Sequence, residues 1–318
     1  MQKDSWALVI LILMPIAGSL VALMFPKRNI GAVAALLSFM TIGYVAVMVL
    51  QFKTFQGLQQ NMDKEWIPQL GITFSLGVDG LNVFLIALTA VAWSVATFAA
   101  SRREIEQPRM FYMMMALAQA GTIGAFAAQD LILFVLFFDL LLIPFYFLIG
   151  MWGEGDRAAA TTKFVIYTLV GSLLMFAAAI GLGVSMAAHG NNELSFAFTD
   201  LAQGSIPDAA QKWIFAGFAI ALLIKMPLPP LHGWMPDTYR SAPLAVLIPL
   251  SAVVAKLGAY GFLRVVLPLL PDASADFSDL MIVLSIIGIV YGSVMAFTQD
   301  NARLVIGYSS IAQIGFIG

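Results

Sequence analysis

The sequence predicts an all-α polytopic membrane protein, from its composition and from the length of its apolar segments. Of 318 residues, 61% are hydrophobic and 11% are charged, and the mean hydropathy is +0.91, far above the range of water-soluble domains. The apolar residues form segments of roughly 20 residues, the length that an α-helix needs to cross about 30 Å of hydrocarbon. A β-barrel would show short alternating segments instead.

The first three helices are predicted at 5–25, 30–51 and 79–100. We interpret the first as a retained helix and not as a signal peptide, because the basic residues Lys27 and Arg28 follow it and further spans come after. The connection before the third helix, "EWIPQLGITFSLGVDG", alternates apolar and polar residues around glycines. This pattern predicts a short β-hairpin on the outer side.

Seven further helices bring the predicted total to about ten. They lie at 109–127, 130–150, 162–187, 212–231, 242–267, 278–299 and 302–318. The connection "HGNNELSFAFTDLAQGSIPDAAQ" is predicted to be a polar surface loop, with His189 solvated at its start. The chain stops at "IAQIGFIG" in the middle of a helical pattern, so a C-terminally truncated fragment is expected.

The distribution of basic residues predicts the orientation in the membrane. The connections "PKRN", "SRREIEQPR", "GEGDR", "DTYR" and "QDNAR" carry most of the Lys and Arg, and they alternate along the chain. The positive-inside rule assigns them to the cytoplasm. The N-terminus is therefore expected on the outer side of the membrane. We interpret this membrane as a bacterial inner membrane.

Composition also argues against several kinds of site. The formal net charge is −2, and the chain has no basic tract and no glycine-rich phosphate loop, so nucleic-acid and nucleotide binding have no support. The sequence contains no cysteine and two histidines, which excludes disulfides and Fe–S clusters and leaves little to ligate a haem or a metal. No cofactor is expected on this chain, and any redox chemistry belongs to a partner.

Three ionisable residues are predicted near the middle of the membrane: Asp139, Lys225 and Lys256. Each costs at least a few kcal/mol there unless it is paired or hydrated, so a functional role is the default interpretation. Burial disfavours the charged form of a lysine and a nearby carboxylate favours it. Movement of Asp139 toward or away from Lys225 would therefore load or unload a proton, although a buried ion pair that only locks helices is the alternative.

Prolines predict a break in the seventh helix beside Lys225. Pro227, Pro229 and Pro230 have no N–H to donate, so the helical hydrogen bonds fail there. Broken backbone at membrane depth survives only when it is buried in protein or lines a hydrated cavity, so we expect a polar pocket beside Lys225. His232, just after the break, is either a proton carrier or a histidine bonded to a loop carbonyl.

Lys163 and the eighth helix carry weaker signals. Lys163 lies near the cytoplasmic start of its helix, where it is either a relay member or an interfacial anchor whose ammonium reaches water. Pro249, Gly258 and Gly261 predict close packing or local distortion around Lys256.

Several stretches together resemble the antiporter-like membrane subunits of respiratory complex I. They are "FFDLLLIPFYFLIGMWG", "TTKFVIYTLVGSLLM", "KMPLPPLHGWMPDTYRSAPLA", "VVAKLGAYGFLR" and "RLVIGYSSIAQIGF". Within that family the likeness is strongest to the group called chain M or subunit 4 of NADH:quinone oxidoreductase. Mrp-type cation/proton antiporter subunits and membrane-bound hydrogenase subunits belong to the same superfamily.

The resemblance implies a proton-translocating subunit driven by quinone reduction elsewhere in a large complex. NADH, flavin, Fe–S clusters and quinone would lie on partner subunits, and neighbouring antiporter-like subunits and the lipid bilayer would surround this chain. By motif match the proton path is Asp139, Lys225 and Lys256, with His232 as a link. The alternatives are an Mrp-type or hydrogenase membrane subunit, or a structural subunit that moves no ions.

The family fold consists of two inverted five-helix repeats. Here 109–267 would be the first repeat, after 1–108 with the N-terminal helices and outer hairpin, and 268–318 would begin the second. The chain departs from the family at three kinds of position. Asp139 stands where glutamate is usual, Tyr239 and Gln313 stand where histidines are common, and "DNARLVIGYSS" lacks the usual lysine before its arginine.

Overall fold

The computed structural model describes residues 5–189 and 193–318 as a bundle of helices with one β-hairpin. Ten main helices follow in the predicted order, and we number them α1 to α10. Their bounds are Ala7–Leu23 (α1), Lys27–Gln51 (α2), Val83–Ser101 (α3), Pro108–Ala127 (α4), Leu131–Trp152 (α5), Arg157–His189 (α6), Asp208–Lys225 (α7), Leu244–Leu269 (α8), Ser278–Phe297 (α9) and Ala302–Gly315 (α10). Short helices also occur at Phe198–Leu201, Met235–Ser241 and Pro271–Asp276.

Within the described residues, seven helices are long and apolar enough to cross a membrane: α2 to α6, α8 and α9. The other three helices fall short for identifiable reasons. Helix α1 has 17 residues and α10 has 14, while α7 carries Asp208, Lys212 and Lys225 in its 18 residues. The predicted class of multi-pass membrane protein is confirmed, and the count of ten spans stays a prediction.

Helix α4 lies at the centre of the bundle and contacts α1, α2, α3 and α5. Its sequence "ALAQAGTIGAFA" is rich in Ala and Gly, and such small side chains let neighbouring helices approach closely in a membrane. Helix α6 packs along α7, and α8 packs against α3 and α7. Helix α9 packs on α10 and presents most of its apolar surface outward.

A β-hairpin occupies the connection between α2 and α3. Strand β1 (Gln59–Ile67) pairs antiparallel with β2 (Ile72–Val78), and Met62 lies opposite Leu76 in the register. The first strand begins six residues before the stretch that predicts the hairpin, because the polar residues before Glu65 also pair. Ile72, Leu76 and Val78 are buried, so one face of β2 closes one end of the bundle.

The prediction of a polar surface loop after α6 was wrong in part. Beyond the undescribed 190–192, the segment packs onto the hairpin and α5 instead of remaining in solvent. The Leu131 amide donates to the Phe196 carbonyl at 2.8 Å, and the Phe196 amide donates to Gly71 at 3.1 Å. Phe196 and Phe198 are buried, and the gain from removing these aromatic side chains from water explains the docking. His189 is exposed, as expected.

Candidate proton-transfer site

Helix α7 ends at Lys225, and the segment 226–234 that follows carries no α-helix. The prolines in this segment cannot donate backbone hydrogen bonds, so the freed carbonyls find other partners. The Leu228 amide reaches the Leu223 carbonyl at 3.2 Å, and the indole N–H of Trp234 donates to the Ile224 carbonyl at 2.8 Å. The chain then resumes as the short helix Met235–Ser241.

Lys225 is 4% exposed, at the point where α7 stops. Its ammonium lies 4.7 Å from the centre of the Phe138 ring on α5, a cation–π contact. It also interacts electrostatically with the next residue, Asp139. Among the described residues, no carboxylate oxygen lies within 4.0 Å of the ammonium, so the two charges face each other without a direct ion pair.

Asp139 lies at an interruption of α5. The helix is irregular at Leu141, because Pro144 has no N–H for the carbonyl of Leu140. One carboxylate oxygen of Asp139 is buried and has no hydrogen-bond partner in the described part of the chain, while the hydroxyl of Ser172 on α6 lies beside the carboxyl group. Pro144 was visible in the sequence and would have predicted this interruption.

Lys256 lies between two π-helical segments of α8, Leu250–Val254 and Phe262–Val266. Its ammonium donates to the Ser251 carbonyl at 2.5 Å. A Cβ at Gly258 would lie 2.7 Å from the carbonyl oxygen of Leu222, so the glycine allows α8 to approach the end of α7. The described contacts of Lys256 do not include Asp139 or Lys225.

His232 faces α9 and not a loop carbonyl. Its Nε2 lies 3.1 Å from the Tyr291 hydroxyl, and the two rings meet edge to face at 4.8 Å. Tyr291 in turn interacts with Tyr308 of α10. Tyr308 also interacts electrostatically with Arg240 and Asp237. Neither tyrosine was predicted from the sequence, because nothing in the pattern of α9 or α10 separates them from ordinary packing residues.

Lys163 contacts Asp237, one of the two charged residues that interact with Tyr308. Its ammonium pairs with the carboxylate of Asp237 at 2.5 Å, and the two side chains are 47% and 45% exposed. The pair therefore meets solvent at one end, while the His232 ring lies partly buried at the other. The structure thus brings the predicted residues together in two groups. The first is Asp139 with Lys225. The second contains two direct contacts, Lys163 with Asp237 and His232 with Tyr291, and Tyr308 interacts electrostatically with both Asp237 and Tyr291.

The positions that depart from the family pattern have different environments. Tyr239 is fully buried, and its hydroxyl has no hydrogen-bond partner among the described residues. Gln313 is exposed on α10.

A cavity of about 170 Å³ adjoins the helix break, but its lining is largely apolar and includes Met226, Phe262 and Met281. Lys225 is not among the lining residues. The polar pocket expected beside Lys225 therefore stays a prediction.

Arg264 holds the C-terminal part of α8 to the bundle. It pairs with Asp79 before α3 at 2.6 Å and also donates to the side chain of Gln129 at the junction of α4 and α5. One turn earlier, the Tyr260 hydroxyl donates to the Phe126 carbonyl at 2.9 Å. These bonds fix α8, and with it Lys256, against the central helices.

Comparison with known proteins places this arrangement in a family. The model of a transmembrane family, NADH:quinone oxidoreductase/Mrp antiporter, matches residues 128–317. The chain belongs to that family. The match begins before Asp139 and covers α5 to α10, so every residue of both polar groups lies inside it.

Relatives and solved structures agree with this assignment. NAD(P)H-quinone oxidoreductase chain 4 2 of Thermosynechococcus vestitus is 38% identical over 315 residues, which are 98% of this chain and 58% of the relative. Respiratory complex I from Thermus thermophilus contains a chain that superposes with a TM-score of 0.86 at 27% identity, over 97% of this chain and 63% of that one. The Mrp complex from Dietzia sp. shares the fold, with a TM-score of 0.82 at 20% identity over 97% and 33%.

The predicted resemblance to complex I membrane subunits, and within them to chain 4, is confirmed by these relatives. The chain spans about 58% to 64% of the length of the first three curated relatives that it matches.

Proposed function

We propose that this chain is a proton-translocating membrane subunit of an NADH:quinone oxidoreductase. The observation that carries the proposal is the placement of Lys225 and Asp139. A buried ammonium at the end of a broken helix faces a carboxylate at the interruption of a second helix, and the two are close enough to interact without a direct ion pair. A structural ion pair would gain most from direct contact.

Each protonation state of this pair depends on the separation of the two groups. A carboxylate that approaches a buried ammonium stabilises its charge, and one that withdraws leaves the charge uncompensated in a medium of low dielectric. A small movement at the irregular Leu141 would therefore bind or release a proton at Lys225. Lys256 on α8 would receive that proton on the outward side, with its ammonium held by the Ser251 carbonyl.

The second polar group would supply protons from the side predicted to be cytoplasmic. Lys163 and Asp237 meet water, and Tyr308 and Tyr291 lead from them to His232. Hydroxyl groups and an imidazole can each accept one proton while donating another. This group would carry protons from the surface to the neighbourhood of the helix break.

The same proposal extends to the surroundings of the chain. The chain is a multi-pass subunit of the enzyme without a redox group of its own, and partner subunits hold NADH, flavin, Fe–S clusters and quinone. Other complex I membrane subunits, including antiporter-like ones, lie beside it in a bacterial inner membrane, with the N-terminus outside. Residues 109–267 form the first inverted repeat.

The test uses inverted membrane vesicles from the source organism, with the full gene either present or deleted. We expect NADH to drive acidification of the vesicle interior that is sensitive to a quinone-site inhibitor and is lost with the gene. Acidification independent of the gene, together with gene-dependent exchange of Na⁺ for protons without NADH, would replace this proposal with a cation/proton antiporter.

A further inference from the structure

A basic cavity lies at the membrane end where α2 and α4 begin and α3 ends. Its volume is about 630 Å³, and it lies on the side predicted to be cytoplasmic. Four cations and one carboxylate line it: Lys27, Arg28, Arg102, Arg103 and Glu104. We call this the basic pocket. None of its lining residues belongs to either polar group described above, so the proposed proton transfer does not account for it.

The cations of the basic pocket have no salt-bridge partner in the part of the chain that the structure describes. Within the described residues, none of the four forms a salt bridge to a carboxylate within 4.0 Å, Glu104 included. In another cavity, by contrast, a lining arginine does have a salt-bridge partner. Arg303 pairs there with Glu154 at 3.0 Å. Like charges gathered without counter-ions repel one another, so an anion from outside the chain would stabilise this arrangement.

Two helix N-termini add to the positive potential. Helix α2 begins at Lys27 and α4 at Pro108, and neither has a side-chain cap. The first N–H groups of a helix have no partner within it and carry a partial positive charge. Such N–H groups are ready donors to phosphate oxygens.

The floor of the basic pocket contains an unpartnered hydroxyl. Tyr112 lines the pocket and is 3% exposed, and its hydroxyl has no hydrogen bond to any described residue. A Cβ at Gly31 would lie 2.7 Å from this hydroxyl and 3.1 Å from the Cα of Ser101. The glycine therefore lets the hydroxyl and the end of α3 pack closely against the start of α2, and the hydroxyl borders the basic pocket, where a ligand oxygen would accept its hydrogen bond.

Apolar surface continues from the basic pocket toward the hydrocarbon. Met24 and Phe25 are exposed in the turn before α2, and Phe39 and Phe98 form an exposed ring pair along α2 and α3 with centroids 6.1 Å apart. A ligand with a phosphate at one end and acyl chains at the other matches this succession of surfaces. A free phosphate would leave the apolar part uncovered.

We propose that the basic pocket binds the headgroup of an anionic phospholipid. Its phosphate contacts the four cations and the N-termini of α2 and α4, the Tyr112 hydroxyl donates to a headgroup oxygen, and the acyl chains follow Phe39 and Phe98. The lipid would thereby join α2, α3 and α4 at one membrane surface. This binding does not depend on proton translocation.

The test measures phospholipid retained by this subunit in the purified, assembled complex. The complex is exchanged into detergent containing phosphatidylglycerol or phosphatidylcholine, and lipid bound to the released subunit is counted by native mass spectrometry. We expect a preference for phosphatidylglycerol. Arg102→Gln/Arg103→Gln should weaken its binding about 30-fold, from about 1 kcal/mol for each cation removed.

Three controls keep the proposal open to refutation. Lys53→Gln/Lys212→Gln removes the same charge outside the basic pocket, and Arg102→Lys/Arg103→Lys keeps the charge inside it, so both should retain the lipid. Soluble glycerol phosphate should compete poorly. The proposal is overturned by equal binding of phosphatidylcholine, by an equal loss in either control variant, by full displacement with glycerol phosphate, or by a neighbouring protein segment in the pocket.

Discussion

The proposed function rests on two ionisable side chains, the partly buried Asp139 and the buried Lys225, that form no direct ion pair with each other. Lys225 is almost fully enclosed and one oxygen of Asp139 has no partner among the described residues, although burial of a charge at membrane depth costs at least a few kcal/mol. Asp139 is one methylene shorter than the glutamate usual in the family. The shorter side chain is consistent with the gap between this carboxylate and the ammonium.

Substitutions at Asp139 should separate its charge from its reach. Asp139→Asn removes the charge that stabilises protonated Lys225, so we expect NADH-driven acidification per assembled complex to fall by roughly tenfold or more. Asp139→Glu keeps the charge and lengthens the side chain, and should retain most of the rate. Vesicle acidification measures both, with exposed Asp156→Asn as the matched control. A wild-type rate in Asp139→Asn would contradict the assigned role.

Tyr291→Phe tests the second polar group. The change removes the hydroxyl that contacts His232 and leaves the ring contact in place. We expect the initial acidification rate to fall by roughly tenfold, since one positioned proton carrier is lost. Tyr44→Phe, which removes a hydroxyl bonded to the Ala7 carbonyl, should have little effect. Equal rates in the two variants would exclude a proton path through Tyr291.

An irregularity in a helix lies beside each of the three ionisable residues predicted near the middle of the membrane. Asp139 precedes the interruption at Leu141, Lys225 ends α7, and Lys256 lies between π-helical segments. The break after Lys225 was predictable because prolines remove specific backbone donors, and Pro144 carried the same signal for α5. The π-helical segments were not predictable in detail, since packing of α8 against its neighbours and not a local motif determines them.

The contacts of Arg264 should stabilise α8 measurably. Arg264→Met leaves Asp79 with an uncompensated charge, and both side chains are about one fifth exposed in the pair. We expect the free energy of unfolding to fall by about 2 kcal/mol. This is less than the roughly 3–5 kcal/mol that is typical when one partner of a fully buried ion pair is removed. The measurement is the midpoint of thermal unfolding in detergent, where Arg264→Lys should lose less. An unchanged midpoint in Arg264→Met would show that these bonds do not hold α8.

For the molecule as a whole, the sequence predicted more of the fold than of the contacts. The hydrophobic composition and the length of the apolar segments predicted the order of the helices. The bilayer determines both features, because a helix that crosses it must be apolar over about 20 residues. The docking of Phe196, the tyrosines beside His232 and the basic pocket join residues far apart in sequence, and no local pattern encodes such contacts. Lys225 stood out because a charge in an apolar run beside prolines is locally improbable.

Redox-driven proton movement through Lys225 is tested most directly by the number of protons moved per NADH oxidised in inverted vesicles. We expect Lys225→Ala to lower this ratio, or to slow oxidation and acidification together, while the complex remains assembled. The exposed Lys212→Ala should match the wild type. An assembled Lys225→Ala complex with the wild-type ratio and rate would contradict a role for Lys225 in proton translocation.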